Sequence, residues 1–121
     1  MMIKIMTKIV NVKKERLNAR NIKDFQEWQK LPNTIYIGRN MSFYVSGAIQ
    51  SKWHNPFNSK NYPKEECLKL YEEHILDTPQ LYNSLLELDN KELGCWCKPD
   101  KCHGDVIIKL LNKYKEEHNI K

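Results

Sequence analysis

The sequence predicts a small single-domain α/β protein, a three-layer sandwich with a mostly parallel sheet over residues 1–121. Short β-branched and aromatic runs alternate with segments of helical periodicity, in the order strand, helix, strand, helix, helix, strand, helix. This alternation is typical of a parallel sheet with helices on both faces. With 121 residues and 40% hydrophobic content, the chain can bury one core but is too short for two full domains.

The first half of the chain supplies two predicted strands and one helix. Isoleucine, methionine and valine cluster and alternate with polar residues over residues 3–12, which predicts a strand. Apolar residues spaced three apart over residues 21–28 suit a short helix. The β-branched and aromatic run 34–38 predicts a buried strand with Arg39 at its end.

The second half begins with a long segment that lacks periodicity. Residues 40–63 are rich in Asn, Ser and Pro, which predicts a long loop or a short hairpin around residues 43–45. Four elements follow: a helix over residues 64–76, a second helix from Pro79 to Asp89, a buried strand over residues 92–97 and a final helix over residues 106–114.

The net charge of +5 is unevenly distributed along the chain. Residues 1–60 hold 11 Lys and Arg against 3 Asp and Glu, whereas residues 61–121 hold 9 against 12. A basic half favours phosphate-bearing partners in general, although lysines also keep small proteins in solution. No run approaches the roughly 20 apolar residues of a membrane span, and early lysines argue against a secretory signal. We therefore expect a cytoplasmic protein without a membrane partner.

The main clue to function is a cluster of thiols and one imidazole. Three of the four cysteines fall with a histidine in the nine positions from Cys95 to His103. In a reducing compartment, clustered cysteines favour metal binding or reactivity over a disulfide scaffold. In an extended strand Cys95 and Cys97 point to one face, and the following loop can bring Cys102 and His103 toward them. These four residues are therefore candidate zinc ligands.

Other interpretations of the cluster stay open. At the first turn of the last helix, Cys102 would gain thiolate character from the helix dipole and nearby lysines, and would act as a nucleophile. His103 or Asp105 would then transfer protons, unless Asp105 only caps the helix. Reversible disulfide formation between Cys102 and Cys95 or Cys97 is a third chemistry. Cysteines are also common core residues, which is the role we expect for Cys67 on a helical apolar stripe.

Three separated segments of the chain together resemble one known family. They read Ile-Tyr-Ile-Gly-Arg at 35–39, Ser-Lys-Trp-His-Asn-Pro-Phe at 51–57, and Leu-Gly-Cys-Trp-Cys-Lys-Pro followed by Cys-His-Gly-Asp-Val within 93–106. This pattern resembles the domain of unknown function 4326, a family of small phage, viral and bacterial proteins. The family typically has glycine where this chain has His54. The resemblance brings no activity with it, but it implies that the three segments surround one pocket.

The implied pocket gives three residues candidate ligand-binding roles. Arg39 suits a phosphate or carboxylate because its guanidinium forks around two oxygens, although a surface or ion-paired arginine would look the same in sequence. Trp53 could stack on a base or sugar, although aromatic residues beside prolines often anchor a loop. Asn55, held extended before proline, could cap the turn or bond a ligand.

These features predict a Cys/His-centred site that binds zinc and acts on a nucleotide or another phosphate-bearing small molecule. One alternative is a metal-free thiol enzyme or redox protein that uses Cys102. Another is a non-enzymatic adaptor or nucleic-acid-binding module that uses the basic half of the chain.

Overall fold

A computed structural model describes residues 6–58, 60–98 and 100–120. The described strands are β1 (Lys8–Asn11), β2 (Thr34–Tyr36) and β3 (Glu92–Cys95), and the α-helices are α1 (Lys14–Asn18), α2 (Phe25–Lys30), α3 (Lys64–Leu76), α4 (Pro79–Tyr82) and α5 (His103–Glu117). A 3₁₀ turn, Leu85–Leu88, lies between α4 and β3. The strands form a parallel sheet in the order β1, β3, β2. The predicted α/β class is confirmed.

Side-chain alternation along the central strand β3 separates two cores. Leu93 and Cys95 are buried with α3, α4, the 3₁₀ turn and α5 on one face of the sheet. Gly94 lies on the other face, where a Cβ atom would meet the Trp28 ring of α2 at 2.4 Å. Because alternate residues of a strand point to opposite faces, this pattern produces a three-layer arrangement.

Element boundaries differ from the sequence prediction near the amino terminus. α2 begins at Phe25 because Asp24 caps it, accepting the Glu27 amide at 2.9 Å. The basic stretch before it forms the unpredicted helix α1, a single short turn whose one buried side chain is Leu17. Asn21, with φ of 61°, separates the two helices. Residues 3–5 of the first predicted strand lie outside the described residues.

The later elements also differ in extent. The helix predicted from Pro79 to Asp89 is divided into α4 and the 3₁₀ turn. The predicted final helix starts earlier, at His103, with Cys102 as its N-cap. In the described part of residues 40–63 the chain forms turns and no strand, so the hairpin around residues 43–45 is absent there. Among the described helices, none is long and apolar enough to cross a membrane.

Candidate functional site

A cavity of about 400 Å³ lies beside the carboxyl ends of β2 and β3. Ligands of parallel α/β proteins bind at this edge of the sheet, and the volume is within the range of small-molecule sites. Its wall is built from Arg39, Asn55, Phe57, Asn58, Lys64, Cys67, Leu68, Cys95, Trp96, Cys97, Lys101, Cys102 and His103. Each of the three segments singled out in the sequence therefore contributes to one cavity.

Two thiols meet on the cavity wall. Cys95 ends β3 and is 1% exposed, while Cys102, the N-cap of α5, is 3% exposed. The Cys102 thiol donates to the Cys95 sulfur across 3.6 Å. This hydrogen bond lowers the pKa of Cys95 to about 6, against the opposing effect of burial, and backbone amides of Cys97 and Lys98 add to the lowering.

The same hydrogen bond has the opposite effect on its donor. Loss of the proton from Cys102 would break the bond and place a second negative charge in a buried position, so the pKa of Cys102 is raised. The first ionisation of the pair is therefore favoured at Cys95, and the second proton is retained by Cys102. One alternative from the sequence has the ionised sulfur at Cys102, whereas this geometry favours ionisation of Cys95; a nucleophilic role for Cys102 stays a prediction.

Hydrogen bonds hold the loop between the two cysteines. Asn11 donates its side-chain amide to the Lys98 carbonyl at 2.6 Å, and the Asp100 amide donates to the Cys97 carbonyl at 2.8 Å. Asp105 accepts the Cys102 amide at 3.0 Å and pairs with the Lys98 ammonium at 3.0 Å. Asp105 thus caps α5 and ties the loop to it. A proton-transfer role for Asp105 stays a prediction.

Burial raises the pKa of the Asp105 carboxyl, but the Cys102 amide and the Lys98 ammonium outweigh burial and leave that pKa below its usual range. Asp105 is therefore ionised at neutral pH, as a helix N-terminus favours.

His103 is oriented by the end of β2. Its Nε2 lies 2.6 Å from the Ile37 carbonyl, and since a carbonyl only accepts, Nε2 carries the proton. The Tyr71 ring packs edge-on at 5.1 Å between ring centroids. Burial lowers the pKa of His103, so the neutral ring dominates at neutral pH and its Nδ1 keeps a lone pair. A role in proton transfer stays a prediction for His103.

The four predicted zinc ligands do not form a ligand set in this arrangement. Two thiolates on one tetrahedral zinc, each at about 2.3 Å, would be about 3.8 Å apart, which the Cys95 and Cys102 sulfurs nearly match. Cys97, however, is exposed, and the bond of His103 Nε2 to Ile37 leaves only Nδ1 of that ring for a metal. Among the described residues, no group of three or more His, Cys, Asp or Glu side chains is arranged to hold one ion.

Three cationic side chains contribute to the wall: Arg39, Lys64 and Lys101. The backbone of Arg39 is fixed by Tyr36, whose hydroxyl accepts from Trp96 Nε1 at 2.7 Å and donates to the Arg39 carbonyl at 2.6 Å. None of the three cations forms an ion pair with a carboxylate in the described part of the chain. Their charges are therefore available to an anionic ligand.

The loop over residues 51–57 contributes side chains to both the core and the cavity wall. Trp53 is 1% exposed and donates to Glu87 at 2.9 Å, so its ring lies in the core and is not part of the cavity wall. Trp53 therefore fits the loop-anchoring role that the sequence also allowed, and a stacking role for it stays a prediction. Asn55 lines the cavity and shapes the turn, accepting the Phe57 amide at 2.9 Å. His54 has no positive φ, and its Nδ1 lies 2.8 Å from the Ser51 carbonyl.

The site lies within a recognised family domain. A family model described as a domain of unknown function, DUF4326, matches residues 20–113, which include every residue of the cavity wall. The chain belongs to the DUF4326 family. The resemblance seen in the sequence is thereby confirmed.

Two viral proteins are similar to this DUF4326 chain over more than half of its length. One is the "Uncharacterized protein R718" of Acanthamoeba polyphaga mimivirus, 36% identical over 66% of this chain and 70% of the relative. Another is the "Uncharacterized 12.4 kDa protein in nrdA-td intergenic region" of Enterobacteria phage T4, 27% identical over 56% of this chain and 68% of the relative. No solved structure matches the chain.

Two cations of this DUF4326 site were not predicted as ligand-binding residues. Lys64 is the first residue of α3, and Lys101 precedes the Cys102 cap of α5. Both are lysines in lysine-rich surroundings, so no local signal distinguishes them. Only the packing of α3 and α5 against the same end of the sheet brings them to the cavity.

Proposed function

We propose that this DUF4326 protein binds a small phosphate-bearing molecule of nucleotide size in the cavity beside β2 and β3. The observation that carries the proposal is the convergence of Arg39, Lys64 and Lys101 on a cavity that also has an apolar wall. Convergent polar groups in an otherwise apolar pocket are typical of small-molecule sites.

The side chains of the cavity wall suit a ligand that has an anionic part and an apolar part. Arg39 can donate two parallel hydrogen bonds to phosphate oxygens, and the two lysines add point charges. Phe57, Trp96 and Leu68 supply apolar surface for a base or sugar. A nucleotide combines these two requirements in one molecule.

The cavity also presents chemical groups to the bound molecule. Cys95 contributes a buried thiolate and His103 a neutral imidazole. A chemical step on the ligand would use Cys95 as the nucleophile and His103 as the base, which is the thiol chemistry predicted from the sequence with Cys95 in place of Cys102.

Calorimetric titration tests the binding proposal. We expect nucleoside monophosphates to bind and the matching nucleosides to bind far more weakly. Arg39→Gln or Lys101→Gln should raise the Kd for the monophosphate about tenfold or more, because each removes a charge-assisted contact. Lys113→Gln on the exposed face of α5 removes the same charge away from the cavity and should leave Kd unchanged.

Two results would contradict the proposal. One is equal affinity for nucleoside and nucleotide, which would show that phosphate is not recognised. The other is binding of mixed-sequence nucleic acid with a steep salt dependence and no affinity for mononucleotides, which would support the nucleic-acid-binding alternative.

Zinc binding stays a prediction and has its own test. Elemental analysis of protein purified without chelator would support it if zinc were present at one ion per chain and were lost in both Cys95→Ser and Cys102→Ser. Metal-free protein that retains its fold and its nucleotide affinity would contradict it.

A further inference from the structure

We propose that Cys95 and Cys102 are a redox-active dithiol that forms an intramolecular disulfide by exchange with a low-molecular-weight disulfide. This activity goes beyond ligand binding and does not depend on it, since no phosphate group takes part. It concerns the pair alone, because Cys97 is exposed and the Cys67 thiol donates to the Tyr62 carbonyl at 3.4 Å.

The first argument is the distance between the two sulfurs. They lie 3.6 Å apart in a direct sulfur–sulfur hydrogen bond. A disulfide bond is about 2.05 Å long, so the sulfurs need to approach by roughly 1.5 Å. Cys95 ends β3 and Cys102 caps α5, so the bond would join the ends of two elements that already pack together.

The second argument is the environment of the attacking sulfur. The Cys95 sulfur accepts a hydrogen bond from the Cys102 thiol at 3.6 Å and lies at the end of β3, beside the backbone amides of Cys97 and Lys98. Such donors favour the thiolate, which is the form that attacks a disulfide. The cavity reaches Cys95, giving a small reagent a route to a residue that is otherwise buried.

The exchange proceeds in two balanced steps. The Cys95 thiolate attacks one sulfur of the reagent RSSR, forming a mixed disulfide and releasing one RS⁻. Cys102 then loses its proton to the released thiolate or to water and attacks the Cys95 sulfur, which forms the Cys95–Cys102 bond and releases the second RS⁻. The protein dithiol is oxidised by two electrons and RSSR is reduced to two thiols.

Peptide mapping distinguishes this bond from other pairings. Trypsin cleaves after Lys91, Lys101 and Lys109, so Cys95 and Cys102 fall on the separate peptides 92–101 and 102–109. Cys97 shares the first peptide and is removed by Cys97→Ser. The variant is incubated with hydroxyethyl disulfide in the presence of a chelator, alkylated and digested. We expect the two peptides to be recovered joined, with the intact protein lighter by two hydrogen atoms.

Trapping variants test the order of the steps. In the Cys97→Ser background, Cys102→Ser should retain the mixed disulfide on Cys95, because the resolving thiol is missing. Cys95→Ser should react at least tenfold more slowly than Cys102→Ser. Should the Cys97→Ser variant fail to fold, fragmentation of the joined peptides from wild-type protein assigns the same bond.

The proposal is overturned by two outcomes. In the first, the peptides stay separate under a disulfide excess that fully oxidises free dithiothreitol. In the second, the wild-type protein joins them only through Cys97. Neither outcome bears on nucleotide affinity, so a failure here is distinguishable from a failure of the proposed function.

Discussion

The lowered pKa of Cys95 comes from the groups around its sulfur. Burial alone would favour the neutral thiol, yet the Cys102 hydrogen bond and the amides of Cys97 and Lys98 lower its pKa to about 6. The direction of one sulfur–sulfur hydrogen bond therefore decides which cysteine ionises more readily. Sequence spacing identifies the cysteines, but it contains no information on that direction.

Thiolate absorbance in the ultraviolet tests the charge of Cys95 without requiring reagent access. In metal-free Cys97→Ser protein, we expect a first rise in absorbance with a midpoint near pH 6, whereas an unperturbed cysteine ionises near about pH 8.5. Cys102→Ala, which removes the donor, should move the midpoint upward, and Cys102→Ser, which keeps a hydroxyl donor, should move it less. Absence of thiolate below roughly pH 8 would contradict the assignment.

The same shift makes stability depend on pH. Because Cys95 ionises more readily in the folded state, the free energy of unfolding rises as pH increases from about 6 toward about 8.5. This contribution is fully present above the unfolded pKa and is lost as pH falls through the folded pKa. Denaturant titrations of Cys97→Ser with and without Cys95→Ser should show a weaker pH dependence in the double variant.

Gly94 is required by the closeness of β3 to α2. A Cβ atom there would lie 2.4 Å from the Trp28 ring and 2.9 Å from Val12. Gly94→Ala should destabilise the protein by about 1–3 kcal/mol, because a rigid ring cannot move aside without disturbing the core. Thermal or denaturant unfolding measures the change.

Gly104→Ala is the matched control for this prediction. Its Cβ would meet the Cδ1 of Ile9 at 2.7 Å, the flexible end of a side chain that can rotate away. It should therefore destabilise less than Gly94→Ala. Equal stability of Gly94→Ala and wild type would contradict the close approach.

At the scale of elements, the amino terminus of α5 organises the cavity. Cys102 is its N-cap, His103 its first residue, and Asp105 accepts the Cys102 amide while pairing with Lys98. One capping interaction at the start of α5 therefore positions both Cys102 and His103.

Asp105→Asn should weaken this helix start. The variant loses a carboxylate at the positive end of the helix dipole and its pair with Lys98, and we expect a loss of about 1 kcal/mol in denaturant titrations at neutral pH. Because the folded pKa of Asp105 is lowered, its contribution is lost as pH falls through that value, and the difference between variant and wild type should shrink in acid.

Asp100→Asn provides the charge-matched comparison for this helix prediction, since Asp100 is exposed in the same loop. If Asp100→Asn loses as much stability as Asp105→Asn, the loss in both variants comes from general charge and not from helix capping.

Sequence patterns predicted some of the helices and strands and missed others. The strand 34–36 and the helix 64–76 follow from their apolar patterns, because their own side chains form the core contacts. α1 was missed because five residues in a basic stretch bury only Leu17. The start of α5 was placed late because its first turn carries the site residues His103 and Asp105, which interrupt the apolar pattern.

At the scale of the whole molecule, parallel strand order creates the site. β2 and β3 end at the same edge, which brings Arg39 near the cysteine cluster although more than fifty positions separate them. This meeting could be predicted, because parallel sheets place ligands there. The sequence left two roles open for Trp53, and its bond to Glu87 could not be predicted because that bond depends on how the loop folds over the helices.

Nuclear magnetic resonance mapping of a bound nucleoside monophosphate tests the central claim most directly. We predict saturable amide shifts confined to the cavity, at Arg39, residues 55–58, Lys64, residues 95–97 and residues 101–103. The matching nucleoside should produce much smaller shifts at the same concentration. Shifts located instead on the basic surface of α1, or no saturable shifts, would contradict phosphate-ligand binding at this site.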